Sequence, residues 1–110
     1  DAERGEKLIR VLDEFRTVSQ DITANQIVTL LHISLNENTT QRQLTERTGL
    51  SDATISRICA ILSEKGLRNQ TGLRLIDARP VPGDARAKGQ VLTALGKRVF
   101  SSVRFLMTGK

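Results

Sequence analysis

The sequence predicts a mainly α-helical domain that carries one small β-hairpin. Apolar residues recur every three or four positions on both sides of Pro80 and Pro82, a period that places them on one face of a helix. Before the prolines, Leu73, Leu75 and Asp77 instead recur at every second position, with Arg74 between the two leucines, a period that is typical of a short strand. The chain has 110 residues, the usual size of one domain, so we expect residues 1–110 to form a single unit.

Two terminal helices are predicted over residues 3–19 and 93–108. Their apolar stripes contain more large side chains than the core of so small a domain needs. The stripes can therefore pack on each other within one chain, or form a two-fold interface with a second chain. We favour a homodimer whose interface contains Leu8, Leu12, Phe15, Val99, Phe100, Val103 and Leu106.

The inner helices are marked by residues that start and stop a helix. Thr23 and Thr40 are each followed three positions later by Gln, the spacing of a capping box. Gly49 ends the helix over residues 40–48, because glycine accepts the left-handed conformation without steric cost. The next helix is predicted over residues 51–65, beginning at Ser51 and ending before Gly66.

Two helices joined by a tight glycine-containing turn form a helix-turn-helix, whose second helix can lie in the major groove of DNA. The apolar stripe of helix 51–65 must face the core. Its other side holds small residues, which allow close approach, and Arg57, which can donate two hydrogen bonds to guanine. The alternative to a DNA-binding helix-turn-helix is that the two helices form a plain packed hairpin. The outward residues are Asp52, Ala53, Thr54, Ser56, Arg57 and Ala60.

The predicted hairpin is strongly basic. We expect strands over residues 71–79 and 86–92, with residues 80–84 as the turn. Arg79 and Arg86 then flank the tip, where an arginine can enter the minor groove or bind phosphate, and Asp84 can orient it. A solvated basic loop is the alternative. The cations are Arg74, Arg79, Arg86 and Lys88.

Charge is divided unevenly along the chain. The net charge is +5, but residues 1–41 carry four basic and seven acidic side chains, whereas residues 42–110 carry thirteen and five. A basic surface suits a polyanion, because Lys and Arg displace the counterions condensed on phosphate. The two predicted DNA-contacting elements, helix 51–65 and the hairpin, both lie in the basic part.

Other functional classes find little support. One cysteine, Cys59, and one histidine, His32, exclude a disulfide framework and a two-histidine metal motif within one chain. Cys59 is expected to be a buried structural residue, and His32 an ordinary surface or helix-packing residue. No catalytic constellation is visible, so we predict neither an enzyme nor a cofactor. Without a signal peptide or an apolar run long enough for a membrane, we expect a cytoplasmic protein. Because the chain begins at Asp1, its excision from a longer protein stays open.

Two stretches carry a family resemblance. Leu50 to Arg57, continuing from Leu62 to Leu67, resembles the recognition helix of MarR-type winged-helix regulators, and Asp84 to Lys88, continuing from Leu92 to Gly96, resembles their wing. The resemblance covers residues 22–96. It implies a two-fold dimer formed by the terminal helices and a wing arginine, Arg86, held near Asp84. It implies base reading by Ser51, Thr54, Ser56 and Arg57.

The sequence thus predicts a winged helix-turn-helix over residues 23–92 that binds double-stranded DNA and regulates transcription. Helix 51–65 would enter the major groove, and the wing, residues 73–92, would contact the minor groove or the backbone. The alternatives are a role in replication or in plasmid or phage maintenance, and a protein-interaction module that binds no DNA. A small-molecule effector stays open. The predicted DNA contacts are Thr40, Gln41, Arg42, Ser51, Asp52, Ala53, Thr54, Ser56, Arg57, Arg74, Arg79, Arg86 and Lys88.

Overall fold

A computed structural model describes residues 1–109, so Lys110, the last residue of the predicted domain, lies outside the described residues. Within residues 1–109 the chain forms five helices and one two-stranded antiparallel sheet, which confirms the predicted fold class. None of these helices is long and apolar enough to span a bilayer. The elements are α1 (Ala2–Arg16), α2 (Ala24–Leu35), α3 (Gln41–Thr48), α4 (Asp52–Leu62), β1 (Ile76–Val81), β2 (Asp84–Leu92) and α5 (Ala94–Thr108).

The predicted helix starts are confirmed. Thr23 and Thr40 both form complete capping boxes with Gln26 and Gln43, in which side chain and backbone satisfy each other's hydrogen bonds. Gly49 ends α3 with a left-handed φ of 74°. The short segment from Gly49 to Ser51 then turns the chain directly into α4, as a helix-turn-helix requires.

One core joins the helices and the root of the hairpin. Leu30 and Ile33 of α2, Leu44 of α3 and Ile55 of α4 are fully buried within it. Leu75, just before β1, is equally buried. Burying an aliphatic side chain of this size contributes about 1.5–3 kcal/mol, so these residues fix how α4 is oriented on the rest of the domain.

The end of α4 differs from the prediction. The helix stops at Leu62, not at residue 65, and Ser63 is already extended with ψ −175°. The backbone N–H groups of Leu73 and Leu75 donate to the carbonyl oxygens of Ile61 and Leu62, at 2.9 and 2.8 Å. The chain segment that leads into β1 therefore uses the last carbonyls of α4. Gly66, the predicted stop, lies in the loop that follows.

The hairpin is shifted relative to the prediction. β1 begins at Ile76, not at residue 71, and it continues through Pro80 and Val81, so the turn contains only Pro82 and Gly83. The backbone N–H groups of residues 73–75 donate to carbonyl oxygens at the end of α4, which delays the start of the strand. A two-stranded sheet has only edge strands, where the missing N–H of Pro80 is tolerated.

The terminal helices pack on each other within one chain. The rings of Phe15 in α1 and Phe100 in α5 meet edge to face, with centroids 5.9 Å apart. Phe15, Val99 and Val103 are 1%, 7% and 5% exposed, so they belong to the core of the single chain. This corrects their assignment to an interface between chains. The apolar period showed that this face is covered, but the covering element is the chain's own other terminal helix.

Candidate nucleic-acid interface

The outward face of α4 is free of the core. Ile55, Ile58, Cys59 and Leu62 are buried on one side of the helix. On the other side Asp52, Ala53, Ser56 and Arg57 are exposed, and Thr54 and Ala60 are half-buried. The face therefore combines small side chains with one long cation, an arrangement that lets a helix approach base edges closely.

The first turn of α4 is held by two hydroxyl groups. The N–H of Thr54 donates to Ser51 Oγ at 3.1 Å, and the Ser51 hydroxyl donates to Thr54 Oγ1 at 2.9 Å. These bonds cap the helix and fix the positions of both side chains. Asp52 lies in the same turn, where its negative charge is favoured by the helix dipole.

The predicted contacts at the start of α3 lie beside that turn. Thr40 is half-buried, and its hydroxyl oxygen accepts from the N–H of Gln43 at 3.1 Å, so it acts first as a cap. Gln41 and Arg42 are exposed and line a shallow depression together with Asp52 of α4. The structure thus places the starts of α3 and α4 on one continuous surface.

The loop after α4 forms the second wall of a cleft. This cleft, of about 650 Å³, lies between the outward face of α4 and the start of the loop. Lys65 and Arg68, which were absent from the predicted contacts, are exposed and line it together with Arg57. The signal that could have found them is the pair of cations on either side of the Gly66-Leu67 dipeptide. Because the helix was predicted to run to residue 65, these two cations were not assigned to any site.

The wing is anchored at both of its ends. Arg74, at its root, has a left-handed φ of 60°. Its N–H donates to the Ser63 carbonyl at 3.2 Å, and its own carbonyl accepts from the Thr93 hydroxyl at 2.6 Å. On the other strand, the N–H of Gln90 donates to the Thr39 carbonyl at 2.7 Å. These bonds fix the root of the hairpin to the helix-turn-helix.

The wing cations are placed differently from one another. Arg79 lies opposite Gly89, two pairs further from the turn than Val81 and Asp84, and its guanidinium is 3.5 Å from the carboxylate of Asp77. Lys88 lies opposite Pro80 and is exposed. The side chains of Arg74, Arg79 and Arg86 are all on exposed residues.

Arg86 lies in an irregular part of the hairpin near the tip. Pro80 pairs with Lys88 but Val81 pairs with Asp84, so residues 85–87 form a bulge. Asp84 Oδ1 accepts from the backbone N–H of Arg86 at 3.1 Å. Among the described contacts the Asp84 carboxylate is bonded to this backbone group and not to the guanidinium, so it orients the chain and leaves the Arg86 side chain free to reach a ligand.

The single cysteine and the single histidine are both at least partly shielded from solvent. Cys59 is buried, and burial raises the pKa of its thiol to about 11, so the nucleophilic thiolate is disfavoured. His32 is half-buried. Across residues 1–109 no group of His, Cys, Asp and Glu is arranged to hold a metal ion.

Known proteins resemble this chain in both sequence and fold. Residues 20–67 match the model of the MarR family. The DNA complex of S. aureus MepR is 22% identical, with a TM-score of 0.68 over 96% of this chain and 70% of that one. Wild-type apo MarR from E. coli is 24% identical, with a TM-score of 0.65 over 90% and 67%. A Thermotoga maritima transcriptional regulator is 25% identical, with a TM-score of 0.64 over 93% and 71%. No curated protein sequence matches the chain.

Proposed function

We propose that this chain is a MarR-like winged helix-turn-helix protein and a sequence-specific regulator of transcription that binds double-stranded DNA in the cytoplasm. The match of residues 20–67 to the MarR family model and the fold shared with MepR support this proposal. The observation that carries the proposal is the exposed face of α4, with Ala53, Ser56 and Arg57 directed away from the core. An α-helix fits the major groove of B-DNA, and small side chains let its backbone come close to the base edges.

Each contacting element has a distinct role in this proposal. Arg57 reads a guanine through O6 and N7, while Ser51 and Thr54 position the first turn of α4 against the same groove. Arg86 and Lys88 of the wing bind the minor groove or the phosphates, which adds affinity with little dependence on sequence. MepR, which has the same fold, is known in complex with DNA, and this supports such a use of the fold.

We also propose that the regulator acts as a homodimer. Within one chain, Leu8 and Leu12 of α1 remain 58% and 41% exposed, and Phe105 and Met107 of α5 are similarly uncovered. Exposed apolar residues on two adjacent helices are typical of an interaction surface. A two-fold dimer would present two copies of α4 to half-sites separated by about one turn of DNA, or a multiple of it.

The test is selection of bound sequences from a pool of random duplexes, followed by affinity measurements over a salt series. We expect a preferred site with two-fold symmetry and an affinity that falls steeply as salt rises. Mapping that site to promoters would support regulation of transcription, whereas mapping to a replication origin would favour a maintenance role. Binding that shows no salt dependence, or no enriched sequence, would overturn the proposal.

The dimer has its own measurement. Leu12→Glu places a charge on the exposed apolar stripe of α1, and sedimentation should then report a monomer where the wild-type protein is a dimer. Glu6→Gln, on the polar face of the same helix, is the control and should leave the dimer intact. A wild-type protein that sediments as a monomer at the concentrations used for DNA binding would contradict the dimer.

A further inference from the structure

The loop between α4 and β1 is a folded element with its own fixed geometry. Leu67 and Gln70 exchange two backbone hydrogen bonds, at 3.1 and 3.0 Å, which closes a tight turn with Arg68 and Asn69 at its tip. The N–H of Gly66 donates to the Ala60 carbonyl at 2.8 Å, which joins this turn to the last turn of α4. The loop, residues 63–72, therefore holds Lys65 and Arg68 at a defined place beside the helix.

Two glycines make this closure possible. Gly66 has a left-handed φ of 67°, and a Cβ there would lie 2.2 Å from the carbonyl oxygen of Gln70. A Cβ on Gly72 would lie 1.8 Å from the carbonyl oxygen of Ser63. Both contacts are with backbone, which cannot move aside as a flexible side chain could. Backbone packed this closely keeps the start of the loop against α4.

The loop supplies positive charge beside the last turn of α4, which has none of its own. The C-terminal end of a helix carries partial negative charge, and the last turn of α4 contains no basic residue. A DNA strand passing this end would be repelled unless cations were added. Among the described residues lining the cleft, Arg57, Lys65 and Arg68 are cations and none is a carboxylate.

We infer that loop 63–72 is a further DNA-binding element, in which Lys65 and Arg68 bind phosphates of the strand that borders the groove occupied by α4. The inference rests on the proposed function and adds to it two phosphate contacts at the far end of the recognition helix. Phosphate contacts of this kind fix the register of a helix along the duplex but do not read its sequence.

The form of the cleft favours a DNA strand over a small anion. Arg57, Lys65 and Arg68 are all exposed, and the cleft is open to solvent. Exposed cations gain little from a single anion in water, because solvent screens the charges. They gain more from a polyanion, because binding releases the counterions condensed along it.

The test compares two variants that each remove one Lys and one Arg. Lys65→Gln with Arg68→Gln removes the loop cations, and Lys7→Gln with Arg10→Gln removes the same charges from α1, which does not line the cleft. All four residues are exposed, so both variants should fold, and circular dichroism checks this. The affinity for the selected duplex and for random duplex is then measured across a salt series.

We expect the loop variant to lose affinity for both duplexes by the same factor. Its slope of log affinity against log salt should be shallower by about one unit per lost phosphate contact, while the α1 variant keeps the wild-type slope. A loop variant with wild-type slope and affinity would overturn the loop assignment and leave the proposed function intact. A changed sequence preference would also overturn it, because the loop would then read bases. Wild-type protein without salt-dependent binding would overturn both.

Discussion

Gly72→Ala tests the packing of the α4–β1 loop, because the structure leaves no room for a side chain there. The new Cβ would lie 1.8 Å from the carbonyl oxygen of Ser63 and 2.8 Å from the carbonyl carbons of Ser63 and Glu64. Overpacking usually costs about 1–3 kcal/mol, and contacts with backbone alone place this substitution near the upper end. A loss of about 3 kcal/mol in a domain of this size lowers the melting temperature by about 12 °C.

The assay is thermal unfolding followed by circular dichroism, with Gly5→Ala as the matched control. No atom lies within 4 Å of a Cβ on Gly5, which is inside α1. Alanine is favoured over glycine in a helix by about 0.8–1.0 kcal/mol, so this control should raise the melting temperature. The two Gly→Ala substitutions are thus expected to shift the melting temperature in opposite directions. If Gly72→Ala melts at or above the wild-type temperature, the loop is not packed against the end of α4 as described.

Three further predictions concern α4 and its core. Ile55→Ala should lower the free energy of unfolding, measured in urea, by about 2–5 kcal/mol, because Ile55 is fully buried. The control Leu35→Ala, at a 78% exposed position, should change it by less than about 0.5 kcal/mol. Equal effects would contradict the placement of Ile55 in the core. Ser51→Ala removes the cap of α4 and should cost about 1 kcal/mol in the same assay, and no loss would mean that the cap is not formed. Burial raises the pKa of Cys59 from 9.0 to about 11, so the stability that comes from the neutral thiol is complete below pH 9 and is lost as the pH rises toward 11. Between pH 9 and 11 the free energy of unfolding of the wild-type protein should therefore fall relative to that of Cys59→Ala. Parallel curves for the two proteins would contradict the burial of the thiol.

Helix starts were predictable because their cause is local. Thr23, Thr40 and Ser51 each accept a hydrogen bond from a backbone group only three residues away, so the sequence window that contains the cap also contains its partner. The turn between α3 and α4 follows from Gly49 in the same way. The exposed face of α4 was predictable for a related reason, since the period of Ile55, Ile58 and Leu62 defines which side is buried.

The end of α4 could not be predicted from the residues that are near it in sequence. It is determined by Leu73 and Leu75, which return more than ten residues later to occupy the carbonyls of Ile61 and Leu62. The same return delays β1 and creates the loop that holds Lys65 and Arg68. The sequence also could not show which element covers the apolar stripes of the two terminal helices. Periodicity shows that Phe15 must be covered, but not that Phe100 of the same chain covers it.

The most direct test of base reading by α4 is the ratio of affinities for the selected duplex and for random duplex. Arg57→Ala should lower this ratio about 5–150-fold, the equivalent of about 1–3 kcal/mol for a lost bidentate contact with guanine. Arg86→Ala, in the wing, should weaken binding to both duplexes evenly and leave the ratio unchanged. If Arg57→Ala instead reduces both affinities by one common factor, the exposed face of α4 does not read bases through Arg57.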